Sequence, residues 1–514
     1  MLKDWVYLKE QDCYFMERVP YCLCPEVPEQ QCMNIYVPAV FLTGEGKLTE
    51  KVHENGFTAS TVPVIFENGL AGYMEAEPFD LEDGRSGAKD FLQAGFVYVS
   101  CGCRGRSSRD ARGKGCGKSP LSLVDLKAGI RFLKHYAGVL PGDMKKIISV
   151  GISAGGAMST LLGSTGNSEN YEKELQRAGA FMEETDDIFG AQCYCPIIDL
   201  DHADLAYEWM FRGKTHYTGM PFVGFGEGDL TPFAAALSDR LADAYVEYFN
   251  GLGLRHPVSG EPVQIGKEHE GSGYTCLMEK LEESAAKYLK KLERGEELSG
   301  PKIPATEAGD YIRGCYEAMN FDFPSESLVS VSGIDKSGWL SWDGTKARIA
   351  GLDQMQETYH RRLKLCPSFD DLNLIQAENQ ELGTPDCDKM HFNPLIAPLM
   401  EQLQSEFPRE TSQYLEDYQK ISDDKELAQR RYLINPMNYI GTEEKADLAP
   451  HYRIRVGSRD ADTSLMITLT LALKLMNTGR TDVDYEIVWD EPHGRADYPG
   501  EVAAWVQKIC ANVE

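Results

Sequence analysis

Basic residues are scarce in this chain: 52 lysines and arginines stand against 80 aspartates and glutamates, a formal net charge of −28. Such an acidic balance argues against nucleic acid or an anionic membrane as the main partner. It fits a soluble enzyme whose acids are mostly solvated surface. Long apolar runs are lacking too. None reaches the length of a membrane span, and the N-terminus Met1-Leu2-Lys3-Asp4-Trp5 carries charges where an apolar signal core would lie. Absent export, the expected compartment is the cytoplasm and the 14 cysteines are expected to be reduced thiols. Three C-x-C pairs occur (Cys22/Cys24, Cys101/Cys103 and Cys193/Cys195), but no C-x-x-C pair or histidine cluster completes a zinc set. Core thiols are therefore the reading, and no metal is expected. Repeats and low-complexity tracts are also absent and cannot account for the length.

What is present begins with size. At 514 residues the chain exceeds one ordinary core, so a core with a large insertion, or two domains, is expected. The stretch Ser149-Val150-Gly151-Ile152-Ser153-Ala154-Gly155-Gly156-Ala157 organises the rest. Here G-x-S-x-G follows an apolar run and precedes a helical segment, Ala157 to Leu162. A strand ending in a tight turn that enters a helix leaves its serine at the apex. Glycines are required where a side chain would strike the adjacent strand or helix. Ser153 is the candidate nucleophile and the Ala154 N–H a candidate oxyanion donor. Alone, the pentapeptide reads better as a small-residue strand-to-helix turn, and the remaining residues decide between the two.

In chain order, short strands (Asp12–Val19, Met33–Val37, Val40–Leu42) broken by prolines form an antiparallel lead-in. Val62–Phe66 is an apolar strand followed by Glu67-Asn68-Gly69-Leu70-Ala71-Gly72-Tyr73, where a second oxyanion donor is expected at Ala71, with Gly72 in reserve. Phe91–Val99 reads as another buried strand. It ends in Arg104 and Arg106, which serve either a substrate carboxylate or the pinning of a loop. A helix at Val124–Tyr136 and a strand at Ala191–Ile198 complete an alternation that predicts a mostly parallel sheet with helices on both faces. From 201 to 435 the chain is charge-rich and helical, with amphipathic helices at Asp239–Phe249, Leu277–Arg294, Asp353–Lys364 and Leu395–Phe407. Glu268 to Gly273 reads as a mobile connection. This block is expected to be an inserted helical lid between two parts of the sheet domain, 1–200 and 436–514.

The sheet resumes at Tyr452–Gly457 and continues through the loop Ser458-Arg459-Asp460-Ala461-Asp462-Thr463, a helix Leu465–Met476 and a strand Val483–Trp489. The loop Asp490-Glu491-Pro492-His493-Gly494 and a helix Val502–Val513 close it. An acid and a histidine at the tips of successive parallel strands share one sheet edge, the edge that also carries Ser153. The order Ser, Asp, His is the one that such an arrangement needs. Asp460 is the acid expected behind His493. The alternative is Asp462, since positions i and i+2 of extended backbone face the same way.

These stretches resemble the bacterial tannases (tannin acylhydrolases) of the α/β-hydrolase superfamily. The similarity runs through Gly-Ile-Ser-Ala-Gly-Gly-Ala-Met-Ser at 151–159, Ala-Tyr-Glu-Trp at 206–209, Asn-Pro-Met-Asn-Tyr at 435–439, Arg-Asp-Ala-Asp-Thr at 459–463 and Trp-Asp-Glu-Pro-His-Gly at 489–494. In the lid it includes Lys-Leu-Cys-Pro-Ser-Phe-Asp at 364–370 and Glu378-Asn379. The resemblance implies a serine esterase with no cofactor that cleaves galloyl esters beneath a helical lid. It also implies that Lys364, Glu378 and Asp462 hold the three phenolic hydroxyls of gallate. Two rivals share the triad: an esterase for feruloyl or other aryl esters, and a prolyl-oligopeptidase-type peptidase, whose upstream propeller has no counterpart here. A third, a non-enzymatic sensor on the same fold, would usually lack a triad member.

Overall fold

The computed structural model describes residues 2–221, 223–298, 303, 305–316, 319–321, 328–330 and 338–511. The main sheet has nine strands: β1 (Val6–Leu8), β2 (Cys13–Pro20), β3 (Cys32–Pro38), β4 (Val64–Asn68), β5 (Val97–Cys101), β6 (Ile147–Ile152), β7 (Gly190–Tyr194), β8 (His451–Gly457) and β9 (Asp482–Val488). Across the sheet they run β1-β2-β3-β5-β4-β6-β7-β8-β9. The first three pair antiparallel, β3 meets β5 antiparallel, and all strands from β5 to β9 are parallel. Every residue of β4, β5 and β7 is buried. Because successive side chains point to opposite faces, both faces of the centre are covered, and this is why these strands read as continuous apolar runs.

The helices on the sheet include α1 (Ala88–Gln93), α2 (Leu121–His135) and α3 (Ala154–Ser164). Between β7 and β8 come α4 (Ala203–Met210), α5 (Pro232–Gly251) and α6 (Ser272–Glu293), and after β8 come α7 (Leu465–Asn477) and α8 (Glu501–Ala511). Thr231 and Ser464 cap α5 and α7 by accepting N–H bonds from Ala234 and Met466. On α6 the buried positions Leu277, Leu281, Ala285, Tyr288, Leu289 and Leu292 recur at helical spacing. That stripe packs towards β9, while α4 packs on α5 and α7. The charged faces predicted for the 201–435 block are thus its outer faces. Its apolar stripes join the core of the sheet.

Several expected elements differ. Phe91 lies in α1, and the strand begins only at Val97. Val40–Leu42 falls on a single 3-10 turn, Ala39–Phe41. The helix expected at Asp353–Lys364 stops at Thr358, because Arg362 turns inward to a buried ion pair with Glu208 and takes the backbone with it. Helix Ile396–Glu401 is shorter than Leu395–Phe407. The residue before Pro408 is held out of helical geometry, with Phe407 at φ −124° and ψ 62°. The segment Glu268–Gly273 is a bonded turn, not a loose connection: the Gly266 N–H donates to Glu270 O, and His269 Nε2 lies 2.8 Å from Trp209 O. Gly271 makes the turn possible at φ 95°, where a Cβ would come within 2.5 Å of Gln264 O. Val513, expected as the end of the last helix, lies outside the described residues.

Candidate active site

Ser153 sits between β6 and α3 with φ 61° and ψ −121°, a conformation that non-glycine residues seldom adopt. Its surroundings explain the motif. A Cβ on Gly151 would come within 2.1 Å of Gly155 O, and one on Gly155 would come within 2.6 Å of Asn68 Oδ1. Both glycines are therefore steric necessities. The apex is held from both sides, since the Ser153 N–H donates to Tyr194 O and the Ile197 N–H to Ser153 O. At the first position of α3 the Ala154 N–H has no partner within its own helix. The loop after β4 is drawn against this turn by the Gly155 N–H, which donates to Leu70 O at 3.0 Å. That bond brings Ala71 and Gly72 to the wall of the same cavity.

The cavity measures about 620 Å³, within the range of small-molecule sites. Ser153, Ala154, Ala71, Lys364, Glu378, Asp462 and His493 all line it. Asp460 lies behind His493, fully buried. Its Oδ2 is 2.8 Å from His493 Nδ1, and its Oδ1 accepts the N–H groups of Asp462 and Thr463. The loops after β8 and β9 are also tied to each other. The Ser458 N–H donates to Val488 O, the Arg459 N–H donates to Glu491 O, and the Arg459 guanidinium pairs with Asp490 at 2.6 Å. Gly457 lets them approach, since a Cβ there would come within 2.1 Å of Glu491 O. Burial pushes the His493 imidazolium down, but Asp460 and, further along, Asp462 outweigh it and hold the ring well above the usual histidine range.

The two acids of the D-x-D loop are divided between the two ring nitrogens. Asp460 meets Nδ1, whereas Asp462 Oδ2 lies 3.3 Å from Nε2 and its Oδ1 lies 2.9 Å from Lys364 Nζ. Lys364 is itself 3.9 Å above the Phe369 ring. Burial pushes the Asp462 carboxyl up, but Lys364 and His493 more than compensate and leave it below the ordinary range. Glu378 is pushed up by burial, with Lys364 working against it.

Tyr207 brings these residues together. Its hydroxyl donates to Ala461 O and accepts the N–H groups of Leu363 and Lys364. Glu208 holds Arg362 by two bonds of 2.7 and 2.8 Å. The Ala-Tyr-Glu-Trp stretch thus joins the 362–364 segment to the loop that carries Asp460 and Asp462.

The structure also places four residues whose roles the sequence left open. Cys195, read as a core thiol, has its Sγ 3.8 Å from His493 Nε2 and donates to Gly494 O. Its place at the end of β7, on the serine's edge of the sheet, was the available signal. His360 Nε2 lies 2.8 Å from Asp460 O. Of the two arginines with two readings, Arg104 is buried against Asp125 and Glu26, the loop-pinning role. Arg106 donates to Gly72 O and Gln380 Oε1 and lines the cavity.

A parallel sheet with a strained serine at a strand-to-helix turn, and a histidine and an acid at the tips of later strands, defines an α/β-hydrolase. The family described as BD-FAE, an α/β-hydrolase family, matches residues 60–197. No curated protein matches the chain by sequence. Solved structures match along nearly its whole length. Tannin acyl hydrolase from Lactobacillus plantarum is 29% identical with a TM-score of 0.74, over 99% of this chain and 97% of the other. The tannase of Fusobacterium nucleatum is 29% identical with a TM-score of 0.73, over 97% and 95%. A tannin acyl hydrolase in complex with ethyl gallate is 28% identical with a TM-score of 0.73, over 99% and 97%. The chain has the α/β-hydrolase fold, is similar to tannases along nearly its whole length and is a carboxylic-ester hydrolase.

Proposed function

We propose that the enzyme hydrolyses galloyl esters, of tannins and of simple alcohols, through an acyl-enzyme. Ser153 attacks the ester carbonyl while His493 Nε2 takes its proton. Asp460, on Nδ1, orients the ring and stabilises the imidazolium. The N–H groups of Ala154 and Ala71 receive the negative charge that develops on the carbonyl oxygen. His493 returns its proton to the leaving alcohol. Water then repeats the attack on the galloyl-enzyme with His493 again as base, and gallate leaves.

One observation carries the substrate reading: the ion pair between Lys364 and Asp462, 2.9 Å apart beside Glu378 in the wall of the serine's cavity. A flat ring with three adjacent hydroxyls offers oxygens to a cation and protons to carboxylates, and these three side chains supply both partners. The complex of a relative with ethyl gallate supports the same reading. We assign residues 201–435 the part of an insertion that delivers Lys364 and Glu378 to this pocket. We place the enzyme in the cytoplasm, a reading that the free state of all the cysteines supports. The test is release of gallate from methyl gallate against release of ferulate from methyl ferulate. Preference for the gallate ester is expected, and preference for the ferulate ester would make the enzyme a feruloyl esterase.

A further inference from the structure

The nitrogen that must accept the serine's proton faces a carboxylate. His493 Nε2 lies 3.3 Å from Asp462 Oδ2, while Nδ1 is occupied by Asp460 at 2.8 Å. A ring between two carboxylates favours the doubly protonated form, which donates at both nitrogens and accepts at neither. Another group against Nε2 is the Cys195 thiol at 3.8 Å, which burial pushes up and keeps from ionising. Asp462 is shared in turn with Lys364, which holds its second oxygen at 2.9 Å, next to Glu378 in the cavity wall. The same carboxylate therefore belongs to the base and to the pocket that we assign to the galloyl ring.

We propose that Asp462 restrains His493 in the absence of substrate and is drawn off it by the ring hydroxyls of the substrate, so that esters bearing those hydroxyls switch on their own base. The inference rests on the galloyl-ester reading above. A phenolic O–H can only donate to a carboxylate, and Asp462 can only accept. A hydroxyl entering between Lys364 and Glu378 competes with Nε2–H for the lone pairs of Asp462. As the hydroxyl gains that bond, the Nε2 proton passes to solvent and Nε2 is left free to accept from Ser153. The galloyl ring stays in its pocket through deacylation, so the base remains released until gallate leaves. An ester without hydroxyls gains no such release, which makes Asp462 a determinant of specificity through the base as well as through binding.

The test compares pH profiles for methyl gallate and methyl benzoate. The ratio kcat/KM reports the ionisation of the free enzyme, and kcat that of the complex. For methyl gallate the acid limb of kcat is expected at least one pH unit below that of kcat/KM, about a tenfold difference in rate on the limb. For methyl benzoate the two limbs should coincide, and Asp462→Asn should move both to lower pH. A second measurement uses the wild-type enzyme alone: the low-field proton resonance of His493 is titrated with and without pyrogallol, which carries three hydroxyls and no carboxylate. Pyrogallol should lower the midpoint and phenol should not. Coincident limbs for methyl gallate, an unmoved limb in Asp462→Asn, or a midpoint indifferent to bound pyrogallol would each overturn the restraint while leaving the galloyl-ester reading intact. Failure to prefer methyl gallate over methyl benzoate on the alkaline plateau would instead overturn the substrate reading and the release step with it.

Discussion

Replacing Lys364 with methionine keeps a flexible, unbranched side chain one atom shorter and removes the ammonium group. The ammonium is buried, 2.9 Å from Asp462 and 3.9 Å above the ring of Phe369, so water does not share the interaction. A hydrogen bond to a charged group in such a setting is worth about 1.5–3 kcal/mol. At about 1.4 kcal/mol per tenfold, the loss on methyl gallate should be about one to two orders of magnitude in kcat/KM. Methyl benzoate has no hydroxyl for Lys364 to meet and should lose less than about threefold. The variant also leaves Asp462 without its cation. Breaking a buried pair costs about 3–5 kcal/mol when nothing else compensates. His493 remains beside Asp462, so the stability cost should fall at or below the lower end, visible as a lowered Tm in a folded protein. The rates are read on the alkaline plateau, where His493 is unprotonated in both enzymes. Equal losses on both esters, or none on either, would remove Lys364 from the recognition of the substrate.

Ser153→Ala should lower turnover by up to about a millionfold without changing Tm, and a serine-directed covalent inhibitor should label Ser153 alone in the wild-type chain; label elsewhere would displace the nucleophile. Asp460→Asn should cripple hydrolysis of methyl gallate and of phenyl acetate alike, whereas Asp462→Asn should fall mainly on the gallate ester on the plateau; the reverse pattern would exchange their roles. Tyr207→Phe leaves the Leu363 and Lys364 N–H groups and Ala461 O without the hydroxyl that joins them, so it should lower activity on methyl gallate more than on phenyl acetate and lower Tm. Equal activity on both would show that the joint is dispensable. His360 is held down to about 4 by burial, and its Nδ1 is buried with no acceptor for a second proton. Its folded value lies below the unfolded one, so the unfolded chain binds more protons and stability falls as pH drops from 6.5 towards 4, by about 3 kcal/mol at the limit. Denaturant titrations at pH 7 and pH 4.5 should show this loss in the wild type and a smaller one in His360→Gln.

The sheet and its catalytic edge were legible because local rules govern them. Continuous apolar runs mark strands buried on both faces, and G-x-S-x-G between such a strand and a helix marks a turn that only glycines permit. An acid and a histidine one strand apart must meet at one edge. Some expected elements differ where a distant partner overrides local pattern. Helical periodicity runs on past Thr358, but Arg362 answers to Glu208, 154 residues away, and the chain leaves the helix to meet it. The place of Cys195 at the end of a strand puts it on the serine's edge of the sheet, but not against His493, 298 residues on. The split of Asp460 and Asp462 between two nitrogens likewise follows from loop geometry, which extended-strand alternation could not settle.

The two halves of the site are also joined more closely than their separation in the chain implies. In the proposed mechanism catalysis draws on the loop 458–463 and recognition on the segment 362–378, and Tyr207 bonds to both. A single hydroxyl therefore ties the backbone of Lys364 to the loop that carries Asp462, and Asp462 in turn touches His493. In such an arrangement a change that relaxes recognition cannot leave the base untouched. Any shift of the 362–364 segment alters how Asp462 is shared between Lys364 and His493. Variants selected for esters without ring hydroxyls should accordingly accumulate changes at Asp462 or Tyr207, and their acid limbs should move to lower pH as their preference for gallate falls. Variants that gain such esters with the acid limb unmoved would show that recognition and proton transfer are separable here, against the shared role of Asp462.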